Sequence, residues 1–114
     1  MENCLLCRII EGRAPGKIVY QDDRVTAIED IHPQAPVHLL VFPRKHLASL
    51  KEASAEDEPL LGHLLTLAAQ LARERGLDSK GYRTVINTGT WAGQSIFHLH
   101  VHVLGGRAFH WPPG

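Results

Sequence analysis

The heptapeptide His98-Leu99-His100-Val101-His102-Val103-Leu104 constrains this chain more than any other stretch. Its strict alternation has the side-chain period of a β-strand and not of a helix. On a strand, the three histidines project from one face while Leu99, Val101 and Val103 project from the other into a core. The imidazoles then stand in a line, with neighbours separated by roughly 6.5–7 Å, two strand rises. Imidazole changes charge near neutral pH, so such a row suits nucleophilic attack, acid–base work or metal ligation. The plainer reading is a polar strand face that happens to carry histidines. It accounts less well for the Gly93-Gln94-Ser95 loop leading into the row.

The rest of the chain predicts an α+β domain. Leu5, Leu6, Ile9 and Ile10 have helical spacing and are closed off by Gly12 and Pro15, giving one short helix. Two apolar-rich runs, 17–21 and 25–29, flank Asp22-Asp23-Arg24 in the pattern of a β-hairpin. The two prolines of Asp30 to Pro36 demand a turn, and His38 to Phe42 then reads as a buried strand ended by Pro43. Leu60, Leu64, Leu67, Ala68 and Leu71 make the apolar stripe of one long helix, which starts at Asp57 or Glu58 and is capped by Gly76. His63 belongs to the edge or surface of that stripe. Tyr82 to Asn87 is a fourth strand and the histidine row a fifth, with short links that favour antiparallel pairing.

At 114 residues, the chain is expected to form one domain, 1–114. Twelve basic and twelve acidic residues balance, with no charged block, which gives no support to coating nucleic acid or docking on an anionic membrane. The stretch from Leu60 to Ala72 is too short and too polar to span a bilayer. Met1-Glu2-Asn3-Cys4 lacks the basic start and apolar run of a signal peptide. A cytoplasmic protein is the expectation, and its Cys4 and Cys7 are then expected to be reduced or metal-bound.

A neutral imidazole attacks phosphorus well and can carry a phosphoryl or nucleotidyl group, while a second one nearby binds the phosphate or trades protons. Backbone N–H groups of Gly93-Gln94-Ser95 suit an anion, although no Gly-Lys-Ser/Thr follows to make a P-loop. Asp30 suits sugar hydroxyls or, equally, a bond to its own turn. The Cys4–Cys7 pair supplies half of a tetrahedral zinc site, with His46 and one end of the histidine row available to complete it.

The row matches the histidine-triad signature, His-φ-His-φ-His-φ-φ, without departure. Together with Asp30 to Pro36, Gly93-Gln94-Ser95, and the tail Gly105-Gly106-Arg107 to His110-Trp111-Pro112-Pro113-Gly114, the chain resembles the Hint branch of the histidine-triad (HIT) family over nearly its whole length. The resemblance implies a five-stranded antiparallel sheet with one long and one short helix, and a homodimer joining two sheets into ten strands. It implies hydrolysis of purine nucleoside phosphoramidates to AMP and amine. His100 would be the nucleophile, His102 would bind the phosphate and leaving group, and His38 would orient it or relay protons. Ser95 would help the departing amine, with Asn87, Gly93 and Gln94 near the phosphate. Asp30 would hold the ribose, and Ile9, Ile28, Ile31 and Leu40 would wall the base. Trp111 would reach towards the partner's site. His32 borders the nucleoside, while His110 in the tail has no assigned role.

By the same resemblance, bacterial relatives with a cysteine pair imply a structural zinc held by Cys4, Cys7, His46 and His98, with no cofactor needed for catalysis. Competing expectations are a dinucleoside-polyphosphate hydrolase or nucleotidyl transferase, a metalloenzyme using the histidine row as an open site, and a nucleotide-binding scaffold with little turnover.

Overall fold

The computed structural model describes residues 3–114; Met1 and Glu2, part of the stretch read for a targeting signal, lie outside the described residues. The elements are α1 (Leu5–Ile10), β1 (Ile18–Gln21), β2 (Val25–Glu29), β3 (Val37–Pro43), α2 (Glu58–Glu74), β4 (Tyr82–Val85) and β5 (Val101–Gly105), with short 3-10 turns at Leu50–Glu52, Ala55–Asp57 and Thr90–Ala92. The strands form one five-stranded antiparallel sheet in the order β1-β2-β3-β5-β4. This is the expected α+β architecture.

Each turn has a local cause. The Asp22 carboxylate accepts from the backbone N–H groups of Arg24 and Val25, both at 2.8 Å, and so closes the β1–β2 hairpin. The His63 imidazole on α2 meets the other oxygen of Asp22 at 2.7 Å, so this histidine ties the long helix to the hairpin. Asp57, buried at the start of α2, accepts from the Ser54 N–H and from Lys45. Gly76 follows the end of α2 at φ 72°, the left-handed conformation that terminates helices and that glycine adopts freely.

Strand alternation divides the sheet into two faces. On one, Val25, Ala27, Leu39, Val41, Val101 and Val103 pack under Leu64, Leu67, Ala68, Leu71 and Ala72 of α2 in the main core. Leu99 joins this core as expected, while Leu60 is only partly buried at its margin. On the other face, Ile28, Leu40 and Phe42 pack under Leu6 and Ile9 of α1 in a second cluster. The register sets Ile28 opposite Leu40 and Leu40 opposite His102, which brings the second face to the histidines.

Two strand boundaries differ from expectation by two residues or more, the others by at most one. β4 ends at Val85 and not at Asn87. β5 starts at Val101 and not at His98, and Pro43 explains why. The β3–β5 register pairs Val41 with Val101, so the next ladder bonds would involve Pro43, which has no N–H to give. The Leu99 N–H donates instead to the Leu47 carbonyl at 2.7 Å. The histidine row therefore enters the sheet only at Val101, with His98 and His100 both ahead of the strand.

Candidate active site

The three histidines of the row do not stand in one line. His100 and His102 are neighbours, with ring centroids 4.9 Å apart, whereas the His98 ring turns to pack edge-on against Phe42 and His46. β5 starts only at Val101, so neither His98 nor His100 is held in the ladder, and the His98 ring turns towards Cys4, the N-cap of α1, while His100 stays beside His102. Two groups of side chains result.

The first lines a cavity of about 720 Å³ between α1, the Asp30 turn, and the loop from β4 to β5. Ile9, Ile28 and Leu40 supply apolar wall, Ile31 and His32 stand exposed at its border, and Asn87, Gly93 and Ser95 face it with His38, His100 and His102. These expected site residues are brought together. Gln94 is not among them, because its side chain is buried, donating to the carbonyls of Ala48 and Ile96 and accepting from the Gly89 N–H. It holds the loop that carries Gly93 and Ser95. Trp111 lies outside the cavity and is 83% exposed. The tail is attached through Arg83, which donates to the His110 carbonyl at 2.7 Å.

Backbone groups dictate the protonation of each imidazole. His100 Nδ1 lies 2.7 Å from the His98 carbonyl, which can only accept, so Nδ1 carries the proton and Nε2 keeps its lone pair. The Gln34 N–H donates to His38 Nδ1 at 3.0 Å, leaving the His38 proton on Nε2. That N–H donates to His102 Nδ1 at 2.9 Å, which in turn puts the His102 proton on Nε2. Burial and the neighbouring His100 and His38 push the His102 pKa down to about 4, and burial also lowers that of His38. The His38 and His102 rings are therefore neutral at physiological pH. Asp30 bonds its own turn and also faces the site. Its Oδ1 accepts from the His32 N–H at 2.9 Å, while Oδ2 faces His38 Nε2 at 3.4 Å.

The second group is Cys4, Cys7, His46 and His98, whose donor atoms all lie within 4.8 Å of one another. Cys4 Sγ is 3.2 Å from His98 Nδ1, Cys7 Sγ is 3.4 Å from His46 Nδ1, and the two Nδ1 atoms are 3.1 Å apart. Tetrahedral zinc with two sulfur and two nitrogen ligands sets its donors roughly 3.3–3.8 Å apart, so the set fits. His98 Nε2 donates to the Pro43 carbonyl at 2.7 Å, which leaves its Nδ1 lone pair towards the thiols. Burial and the adjacent Cys4 raise the Cys7 pKa to about 11, the penalty a bound cation would relieve. Asp30, His38 and His102 also lie close enough for a metal. Their hydrogen bonds oppose it, because His38 Nε2 already carries its proton.

Residues 11–109 match the HIT domain family. The chain belongs to the HIT family. It is 51% identical over 113 residues to an uncharacterized HIT-like protein of Synechococcus elongatus, covering 99% of this chain and 98% of that protein. A HIT family hydrolase from Legionella pneumophila Philadelphia 1 superposes with a TM-score of 0.96 at 45% identity, over 98% of this chain and all (100%) of the other. A Zn-bound histidine triad family protein from Mycobacterium smegmatis has a TM-score of 0.79 at 33% identity, over 93% and 76% of the two chains.

Several groups that shape this HIT site are not legible in the sequence. Gln34 and Pro43 act through backbone atoms, which leave no residue-type signal. Leu5 and Arg8 also line the cavity, and Leu5 shares a helical face with Ile9 at a spacing of four and with Arg8 at a spacing of three, a signal that the sequence does carry.

Proposed function

We propose that this HIT protein hydrolyses purine nucleoside phosphoramidates through a nucleotidyl-histidine on His100. The observation that carries this reading is the His100 Nδ1–H bond to the His98 carbonyl, which reserves a buried Nε2 lone pair for phosphorus. Family membership and the hydrolase name of the Legionella relative support a hydrolytic reaction. The apolar slot of Ile9, Ile28 and Leu40 suits a purine face, and the free lone pairs of Asp30 suit ribose hydroxyls.

In the first half-reaction His100 Nε2 forms a bond to phosphorus and the P–N bond breaks, its electron pair passing to nitrogen. The departing amine takes one proton from solvent through the exposed Ser95 hydroxyl. His102 Nε2–H donates to a phosphoryl oxygen, with His38 fixing its tautomer. Water then attacks phosphorus from the side the amine vacated and loses one proton to solvent, and AMP leaves as His100 recovers its lone pair. The proton taken in the first half is returned in the second.

Cys4, Cys7, His46 and His98 would hold a structural zinc, as the zinc-bound Mycobacterium relative encourages. Four protein ligands leave no open position, so the ion would supply cross-linking and no chemistry to the reaction. The free, buried thiols suit a reducing cytoplasm. Trp111, exposed and away from its own cavity, suits a Hint-like homodimer in which it reaches the partner's site.

The test is turnover of adenosine 5′-phosphoramidate compared with a dinucleoside polyphosphate. Release of AMP and amine, with the phosphoramidate much the better substrate, is expected. Faster cleavage of the polyphosphate overturns the substrate assignment, and binding without turnover overturns the catalytic one.

A further inference from the structure

We propose that Arg8 reads the base edge of the bound nucleotide and makes the site prefer a 6-oxopurine, guanine or hypoxanthine, over adenine. The inference rests on the nucleotide reading above and extends it to the choice of purine.

Leu5, Arg8 and Ile9 occupy one face of α1, and all three line the large cavity. Arg8 is half-buried, and among the lining residues it is the only arginine or lysine. Its Nε is buried and has no hydrogen-bond partner among the described residues. A buried N–H without an acceptor is costly, and native proteins rarely leave one so. The carboxylates that share the cavity wall are directed elsewhere. Glu29 meets Lys17 at 3.3 Å and Arg75 at 3.4 Å, and Asp30 meets the His32 N–H and His38. An acceptor carried by a ligand in the cavity would satisfy it.

The place of Arg8 decides which part of the ligand supplies it. The groups suited to the phosphate, Asn87, Gly93, Ser95 and His102, belong to the β4–β5 loop and β5. Arg8 stands instead on α1 beside Ile9, whose side chain packs with Ile28 and Leu40 in the apolar slot. A base sandwiched there has apolar contacts on its faces, and only its edge remains for polar recognition. A guanidinium offers N–H donors in a fixed fork and accepts nothing. A 6-oxopurine presents O6 and N7 side by side, two acceptors that match the fork. Adenine replaces O6 with an amino donor, so it satisfies one N–H and opposes the other.

The experiment measures affinities of GMP, IMP, AMP and UMP by calorimetry, and kcat/KM of the guanosine and adenosine 5′-phosphoramidates, for wild type, Arg8→Lys and Arg8→Gln. Wild type is expected to favour GMP and IMP over AMP by about tenfold, with kcat/KM following. Arg8→Lys keeps the charge but loses the fork, and should bring the ratio close to one. Arg8→Gln should swing it towards AMP, because a carboxamide pairs with N6 and N7 of adenine. Equal affinity of wild type for GMP and AMP overturns the proposal. So does a loss in both variants that is the same for every nucleotide, UMP included, since that is how a phosphate contact behaves. Binding without base preference leaves the nucleotide reading intact, whereas failure of every nucleotide to bind overturns both.

Discussion

Hydrogen bonds to two backbone groups, the Gln34 N–H and the His98 carbonyl, fix the proton positions of the three imidazoles in the cavity. The consequence is a pH dependence that differs from that of free histidine. His102 accepts from His38 at Nδ1, and protonation would place a hydrogen there and break that bond. Its pKa is lowered to about 4, so the neutral relay persists well below the ordinary histidine value of roughly 6.5. The His102 ring is therefore expected to titrate near pH 4 when followed by NMR, and titration of that ring at about 6.5 would contradict the tautomer assignment. Stability follows with the same sign. Below about pH 6.5 the unfolded chain takes up a proton at His102 that the folded chain refuses, so thermal stability should decline as pH falls from there towards 4. Constant stability across that window in wild type, with no difference from His102→Phe, would show that the ring is not held neutral.

At the scale of elements, strand and helix ends decide where the chemistry stands. Gly105 closes β5, and a Cβ there would lie 2.6 Å from Cδ1 of Leu77, itself buried in the main core. Leu77 has to shift from its place in the core to admit the extra carbon, so Gly105→Ala should cost about 1–3 kcal/mol and lower the melting temperature by roughly 5–15 °C, while an unchanged melt would contradict this packing. Replacing a tetrad ligand tests the other end of β5. Cys7→Ser is expected to reduce bound zinc from one ion per chain and to lower the melting temperature by about 10 °C, the effect of roughly 2 kcal/mol in a domain of this size. Wild type purified with zinc salts yet holding none, by elemental analysis, would contradict the metal assignment.

Much of this architecture is legible from residue pattern. The strand and helix periods of His38 to Phe42 and of Leu60 to Leu71, and the turn chemistry of Asp22 and Gly76, are local signals that survive folding. The triad signature points to His100 and His102, and Ile9, Ile28 and Leu40 meet around the same cavity. What the pattern does not reveal comes from long-range register. Pro43, 55 residues before His98, ends the β3–β5 pairing and takes the His98 Nε2–H on its carbonyl, which holds that ring away from His100 and His102. Gln94 illustrates a different limit, because its residue type suits an anion loop but burial commits its hydrogen bonds to backbone groups of the loop and of Ala48.

For the whole molecule, the sheet keeps its two faces for different roles. The face under α2 supplies the main core, and the face under α1 supplies the cavity and the thiol–imidazole tetrad. No helix among the described residues is long and apolar enough to cross a membrane. Removing residues 111–114 is expected to leave folding intact and to lower kcat/KM by about tenfold, the scale of one lost contact across a dimer. An unaltered rate in a truncated protein would separate Trp111 from catalysis. The central claim is that His100 becomes nucleotidylated, and the most direct measurement is mass spectrometry of acid-free quenched reactions with adenosine 5′-phosphoramidate. Wild type should carry an AMP adduct on His100, and His100→Ala should lose both the adduct and turnover, by at least about a thousandfold. Turnover by His100→Ala near the wild-type rate would contradict the account and assign the attack to another group.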